Sequence, residues 1–129
     1  MKKPAILIVE DDPVLLRILC KIVENGGYTA LPAMNAVDAF ETLKDEIPEL
    51  ILEDISLPDL NGVELIHCIR NIPGFENIPV VFVSASSSRI TAVRDLNNIL
   101  TNYLVKPLRP AELLLVIDEM LQLTTQKAG

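Results

Sequence analysis

Four short apolar runs end abruptly in acidic, hydroxyl or amine side chains, and this pattern restricts the fold more than any other feature of the chain. Ile6-Leu7-Ile8-Val9 runs into Glu10-Asp11-Asp12, and Leu50-Ile51-Leu52 into Glu53-Asp54. Val80-Val81-Phe82-Val83 meets Ser84, and Tyr103-Leu104-Val105 meets Lys106. Short β-branched runs set between helical segments read as strands of a buried parallel sheet. In open α/β sheets, ligands bind in the crevice at the carboxyl ends of such strands. One pocket is therefore expected to gather several acids, one hydroxyl and one lysine. That mixture suits a divalent cation and a phosphoryl group.

Helical signals fill the intervals. Asp12 is a good N-cap and Pro13 is tolerated at a first helical position. Leu15, Ile18, Leu19 and Ile22 then give one apolar face, and Gly26-Gly27 stops the helix. Tyr28 to Leu31 reads as a short second strand. Asn35 caps a helix carrying Val37, Ala39, Phe40 and Leu43, which stops near Pro48. A loop with Pro58 and Asn61-Gly62 leads to a helix with Val63, Leu65, Ile66 and Ile69. Ser86 to Ser88 offer caps to a fourth helix bearing Ile90, Val93, Leu96 and Leu100, and a last helix spans about Pro110 to Leu123. Five strands alternating with five helices predict a doubly wound α/β fold with helices on both faces. Residues 1–123 make the domain, and 124–129 read as a frayed tail or the start of a linker.

At 129 residues the chain is one domain with a real core. It holds no apolar run of membrane-spanning length. Met1-Lys2-Lys3-Pro4 is basic, but the apolar run behind it soon meets three acids, so it reads as a strand and not a signal peptide. Cys20 and Cys68 lie far apart in helical patterns without metal-ligand spacing, as expected of free thiols in a reducing cytoplasm. A net charge of −7 argues against direct nucleic-acid binding.

If the first and third strands are neighbours, Glu10, Asp11 and Asp54 converge. Carboxylates about 4 Å apart repel by roughly 4 kcal/mol per pair at an effective dielectric of 20. Magnesium relieves this economically, because it prefers hard oxygen ligands and keeps several waters. A carboxylate is also a nucleophile toward phosphorus, and Asp54, ending a central strand before an irregular loop, is the best candidate. Lys106 would neutralise phosphoryl charge, and Ser84 would hydrogen-bond a phosphoryl oxygen. Asp12 reads as a helix cap and His67, the one histidine, as a solvated residue.

Taken in order, these segments resemble the receiver domain of two-component response regulators over nearly the whole chain. The first strand with its acidic pair, the Leu52-Glu53-Asp54-Ile55-Ser56-Leu57-Pro58 segment, Ser84-Ala85 after the fourth strand, and Lys106-Pro107 carry the likeness. The resemblance implies a flavodoxin-like sheet in the order 2-1-3-4-5. It implies that Asp54 accepts a phosphoryl group from the phosphohistidine of a histidine kinase or phosphotransfer protein. Asp11, Asp54 and the Ser56 backbone carbonyl would bind Mg2+ directly, and Glu10 through water. Lys106 would contact the phosphoryl group, Ser84 would swing toward it, and Tyr103 would turn inward. The Lys106-Pro107 peptide would be cis. Such a domain turns over no separate substrate. Its output, through the fourth helix, fifth strand and fifth helix, would go to a downstream protein effector or a fused output domain.

Three positions depart from the family pattern. Ile99-Leu100 stands where a Gly-Ala pair is common, Glu53 where an apolar or small residue is usual, and Ser56 at a position that tunes hydrolysis. Apolar residues also exceed single core stripes. Leu113 to Ile117 with Met120 and Leu121 do so on the last helix, as do Val14, Leu16 and Val23 on the first. A homodimer or a docked partner would cover such a surplus. Two alternatives stay open on the residues alone: an interaction domain that keeps the fold without the chemistry, and a phosphatase or flavin protein on a similar sheet.

Overall fold

A computed structural model of the chain describes residues 3–55, 62–84 and 101–128. Five strands form one parallel sheet: β1 (Ala5–Val9), β2 (Thr29–Ala33), β3 (Leu50–Asp54), β4 (Val80–Ser84) and β5 (Thr101–Val105). Their order is β2-β1-β3-β4-β5, as the resemblance implied. Four helices occur among the described residues: α1 (Pro13–Asn25), α2 (Ala36–Asp45), α3 (Gly62–Arg70) and α4 (Pro110–Ala128). The further helix expected after Ser86 to Ser88, the Ile99-Leu100 turn and Ser56 all lie outside the described residues.

The central strands β1, β3 and β4 are buried at every residue, whereas β2 and β5 form the edges and stay partly exposed. Side chains alternate along each strand, so each central strand feeds two cores. Leu7, Val9, Ile51, Val80 and Phe82 pack with Ala39 of α2 and Leu65, Ile66 and Ile69 of α3. Ile6, Ile8, Leu50, Leu52, Val81 and Val83 pack on the other face with α1 and α4. This two-sided burial is why the runs read as continuous apolar sequence and not as alternation.

Helix ends follow local chemistry. The Asp12 carboxylate accepts from the N–H groups of Val14 at 2.9 Å and Leu15 at 3.3 Å, so its role as a cap is borne out. Asn35 accepts from Asp38 N–H at 2.8 Å, and Asp38 accepts in return from Met34 N–H at 3.2 Å. At the end of α1, Gly27 takes φ of 93°, and Gly26 lets the Leu114 side chain of α4 press against the backbone, where a Cβ would collide with it.

Two expectations about helix faces need correction. On α1 the buried residues are Leu16, Leu19 and Val23; of the expected stripe Leu19 is buried and Leu15 and Ile22 are partly buried against the same core, while Ile18 is 50% exposed beside Val14. Both stripes have helical spacing, so the pattern alone cannot choose between them. The packing does, because Leu16, Leu19 and Val23 meet Ile6, Ile8 and Ile117. On α2, Val37 points to solvent while Ala36, Ala39 and Leu43 are buried. Small residues face the sheet there and let the helix lie close. The last helix also runs on to Ala128, past Leu123.

Gly62 opens α3 against the end of β3. A Cβ there would lie 2.9 Å from the Ile55 Cα, a backbone atom that cannot rotate away. Gly62→Ala should therefore destabilise the fold by about 1–3 kcal/mol, as overpacking does. A urea midpoint equal to that of the parent protein would refute the tight approach.

Candidate functional site

Pairing of β1 with β3 places Val9 opposite Glu53, so the chain leaves both strands at the same level. That register brings Glu10, Asp11 and Asp54 together, with one carboxylate oxygen from each lying within 4.8 Å of the others. Glu10 and Asp54 are buried, while Asp11 is exposed. Glu10 is fixed from both sides. Its N–H donates to Ala33 O at 3.0 Å, and its carboxylate accepts from Asp12 N–H at 3.1 Å.

Lys106 reaches this group from the far side of the sheet. It follows β5, donates its backbone N–H to Ser84 O at 2.8 Å, and is joined to Pro107 by a cis peptide bond, as expected. Its Nζ donates to Asp54 Oδ2 at 2.9 Å and lies 3.6 Å from Glu10 Oε1. Ser84 is fully buried and pairs with Val105. It stands one residue beyond Val83, the register partner of Asp54 on β4. Tyr103 is half-buried, its ring stacked on Phe82 at 6.3 Å between centroids.

The structure thus gathers Glu10, Asp11, Asp54 and Lys106 directly and sets Ser84 beside them on the adjacent strand. Glu53 is fully buried, registered between Val9 and Phe82 on the face covered by α2 and α3. His67 and Cys68 are exposed, and both cysteines are free thiols. Arg70 makes a tertiary contact that no residue pattern announces. Its guanidinium donates to Ile78 O at 2.9 Å and to Thr101 Oγ1 at 3.4 Å, tying α3 to the amino end of β5. An arginine in the last turn of a helix ordinarily reads as a capping residue, which hides a tertiary contact of this kind.

Electrostatics in the pocket are unbalanced. Burial, then the closeness of Asp54, pushes the Glu10 carboxyl up to about 8, against the partial relief given by Lys106 and the Asp12 N–H. Burial would lower the Lys106 ammonium, but the hydrogen bond and charge of Asp54 and the charge of Glu10 outweigh it and raise it. Among the described residues one ammonium therefore faces three carboxylates, and a proton is retained on Glu10 near neutral pH. Such a donor set, all hard oxygen, fits a magnesium ion, which would take the place of that proton.

The chain matches the model of the response regulator receiver domain over residues 6–118. It belongs to that family. The match to the phosphate regulon transcriptional regulatory protein PhoB of Escherichia coli is 30% identical over 91% of this chain but only 51% of PhoB. The chain therefore spans about half the length of that relative. A response regulator receiver domain protein (CheY-like) from Methanospirillum hungatei JF-1 superposes with a TM-score of 0.84 at 31% identity, covering 99% of this chain and all of the other. The receiver domain of a sensor histidine kinase from Pseudomonas aeruginosa PAO1 shares the fold. Its TM-score is 0.82 at 24% identity, covering 95% of this chain and 99% of the other, and it was solved with a magnesium ion coordinated in its active site cleft. Among the described residues no helix is long and apolar enough to cross a membrane.

A proton held by folded but not unfolded protein makes stability fall as pH rises between the two pKa values. For Glu10 that window runs from the ordinary 4.5 to about 8. In chelator, the parent protein should lose about 2 kcal/mol relative to Glu10→Gln between pH 5 and pH 8, allowing for screening at the pocket mouth. Parallel urea-unfolding curves for the two proteins across that range would refute the retained proton.

Proposed function

We propose that this receiver domain is a phosphoacceptor in a two-component relay. A phosphohistidine of a histidine kinase or phosphotransfer protein presents its phosphoryl group at the carboxyl ends of β1, β3 and β4. An oxygen of Asp54 attacks the phosphorus, the P–N bond breaks, and the imidazole leaves with that electron pair. Asp54 carries the reading, because its buried carboxylate is the one that Lys106 holds at 2.9 Å. Lys106 then follows the charge from the carboxylate to a phosphoryl oxygen. Ser84 supplies a hydroxyl to another oxygen from the neighbouring strand.

Asp11, Asp54 and the Ser56 carbonyl would hold Mg2+ directly, with Glu10 one water away. The ion supplies charge neutralisation for the transferring phosphoryl group. The carboxylate cluster of this chain supports that assignment, as does the magnesium in the related cleft from Pseudomonas aeruginosa. The product is an acyl phosphate on the protein itself, so no separate substrate is turned over.

The switch follows from the same contacts. A phosphoryl group shifts the equilibrium only by what it gains in one arrangement over the other. Ser84 moving toward it vacates space beside Phe82 and Tyr103, and Tyr103 turns inward. The change reaches the surface formed by β5 and α4, where Val105 and Leu115 are already exposed. A protein effector or a fused output domain reads that surface in the cytoplasm.

Incubation with acetyl phosphate and Mg2+ should add one phosphoryl mass to the intact chain. Asp54→Ala and a chelated control should show none. Asp11→Asn should weaken Mg2+ binding by about tenfold or more through loss of a direct carboxylate ligand. Unchanged phosphorylation of Asp54→Ala would remove the proposed acceptor.

A further inference from the structure

A deep cleft lies at the pole opposite the carboxylates, and the phosphoacceptor chemistry makes no use of it. It opens where the strands begin, beside Pro4 before β1, Glu49 before β3 and Pro79 before β4. Its volume is about 930 Å³, within the range of sites that take a ligand or a few side chains. Tyr28, Pro48, Ile78 and Leu121 give it an apolar lining. Glu49, Glu76 and Asp118 stand around it, all exposed and contributed by three separate parts of the chain.

The charge is one-sided. Among the described residues, no lysine, arginine or histidine lines the cleft. The Arg70 guanidinium is turned toward Ile78 O, next to the cleft residue Pro79, and toward Thr101 Oγ1. Lys3, exposed ahead of Pro4, is the one described cation beside the opening in sequence. Glu76 is held in place by the Gly74 N–H at 2.9 Å, and that hydrogen bond lowers its carboxyl, so it stays ionised at neutral pH. An apolar trough ringed by fixed and exposed carboxylates complements a segment that is both apolar and cationic. Long lysine and arginine side chains fit such a place, since their stems lie on apolar surface while the charge reaches the rim.

We propose that this cleft is a second docking site, and that its occupant is a basic, apolar peptide segment of a partner protein. The site lies across the sheet from Asp54, so it can be filled while the phosphoacceptor pocket is engaged. It would tether the domain to a partner through the carboxyl-terminal half of α4 while leaving the phosphoacceptor pocket open.

The test titrates the full chain, labelled for amide NMR, with a short capped peptide alternating leucine and lysine. Leucine–glutamine and leucine–glutamate peptides serve as controls. Shifts should concentrate at Tyr28, Glu49, Asn77 and Gln122, appear only with the lysine peptide, and fade at high salt. The double variant Glu49→Gln with Asp118→Asn should bind about fivefold more weakly, the scale expected of two exposed charges. Both positions are exposed and remote from Asp54, so the variant should still take up phosphate from acetyl phosphate, which shows that it is folded. Shifts spread over the acidic surface, equal binding of the glutamine peptide, or an unweakened variant would overturn the proposal. So would concentration-dependent shifts at the same amides without peptide, because the occupant would then be a second copy of this chain.

Discussion

Mutual repulsion among Glu10, Asp11 and Asp54 is the constraint around which the carboxyl end of this sheet is organised. Oxygens within 4.8 Å of one another repel by about 3–4 kcal/mol per pair at an effective dielectric of 20. Two of the three groups are buried, so water gives little relief. Among the described residues the fold answers with one ammonium, set 2.9 Å from Asp54 and 3.6 Å from Glu10, and with a proton kept on Glu10. Neither removes the excess negative charge. A dication would, and it would then offset the charge that a phosphoryl group brings, which links the repulsion in the pocket to the proposed reaction.

The sheet makes that concentration of charge stable. Glu10 and Asp54 follow strands that are buried along their whole length and packed on both faces. Lys106 arrives from an edge strand, its backbone tied to Ser84 O and its side chain only 26% exposed. Rigid strands thus supply the acids and a partly exposed edge supplies the cation. The edge is also where a change in the pocket has room to become a change of surface. Val105 is exposed there, and Tyr103 lies half-buried on Phe82.

Much of this was legible in the residues, for physical reasons that differ from place to place. Strand ends were visible because doubly buried strands are unbroken apolar runs and the polar residue after each marks the crevice. Asp12 was readable as a cap because capping is local. The α1 face was only partly readable: Leu19 of the expected stripe is buried, but Leu16 and Val23 are spaced as helically around it as Leu15, Ile18 and Ile22, and only contact with Ile6, Ile8 and α4 decides between them. The link from Arg70 to Thr101 spans thirty-one positions and has no sequence signature. The amino-end cleft draws on several separate parts of the chain, and nothing in any one of them announces it. Glu53 stood out as an anomaly in sequence and is fully buried in the fold, in the row that runs from Val9 to Tyr103.

Proton release on Mg2+ binding tests the central claim most directly. Calorimetric titrations at pH 7 in buffers of differing ionisation enthalpy give the number of protons displaced per ion. If Glu10 holds its proton until about pH 8, binding should expel close to one proton at pH 7 and almost none at pH 9. Binding with no proton release at pH 7, or no Mg2+ binding at all, would contradict the account of a pocket whose carboxylates wait on a cation.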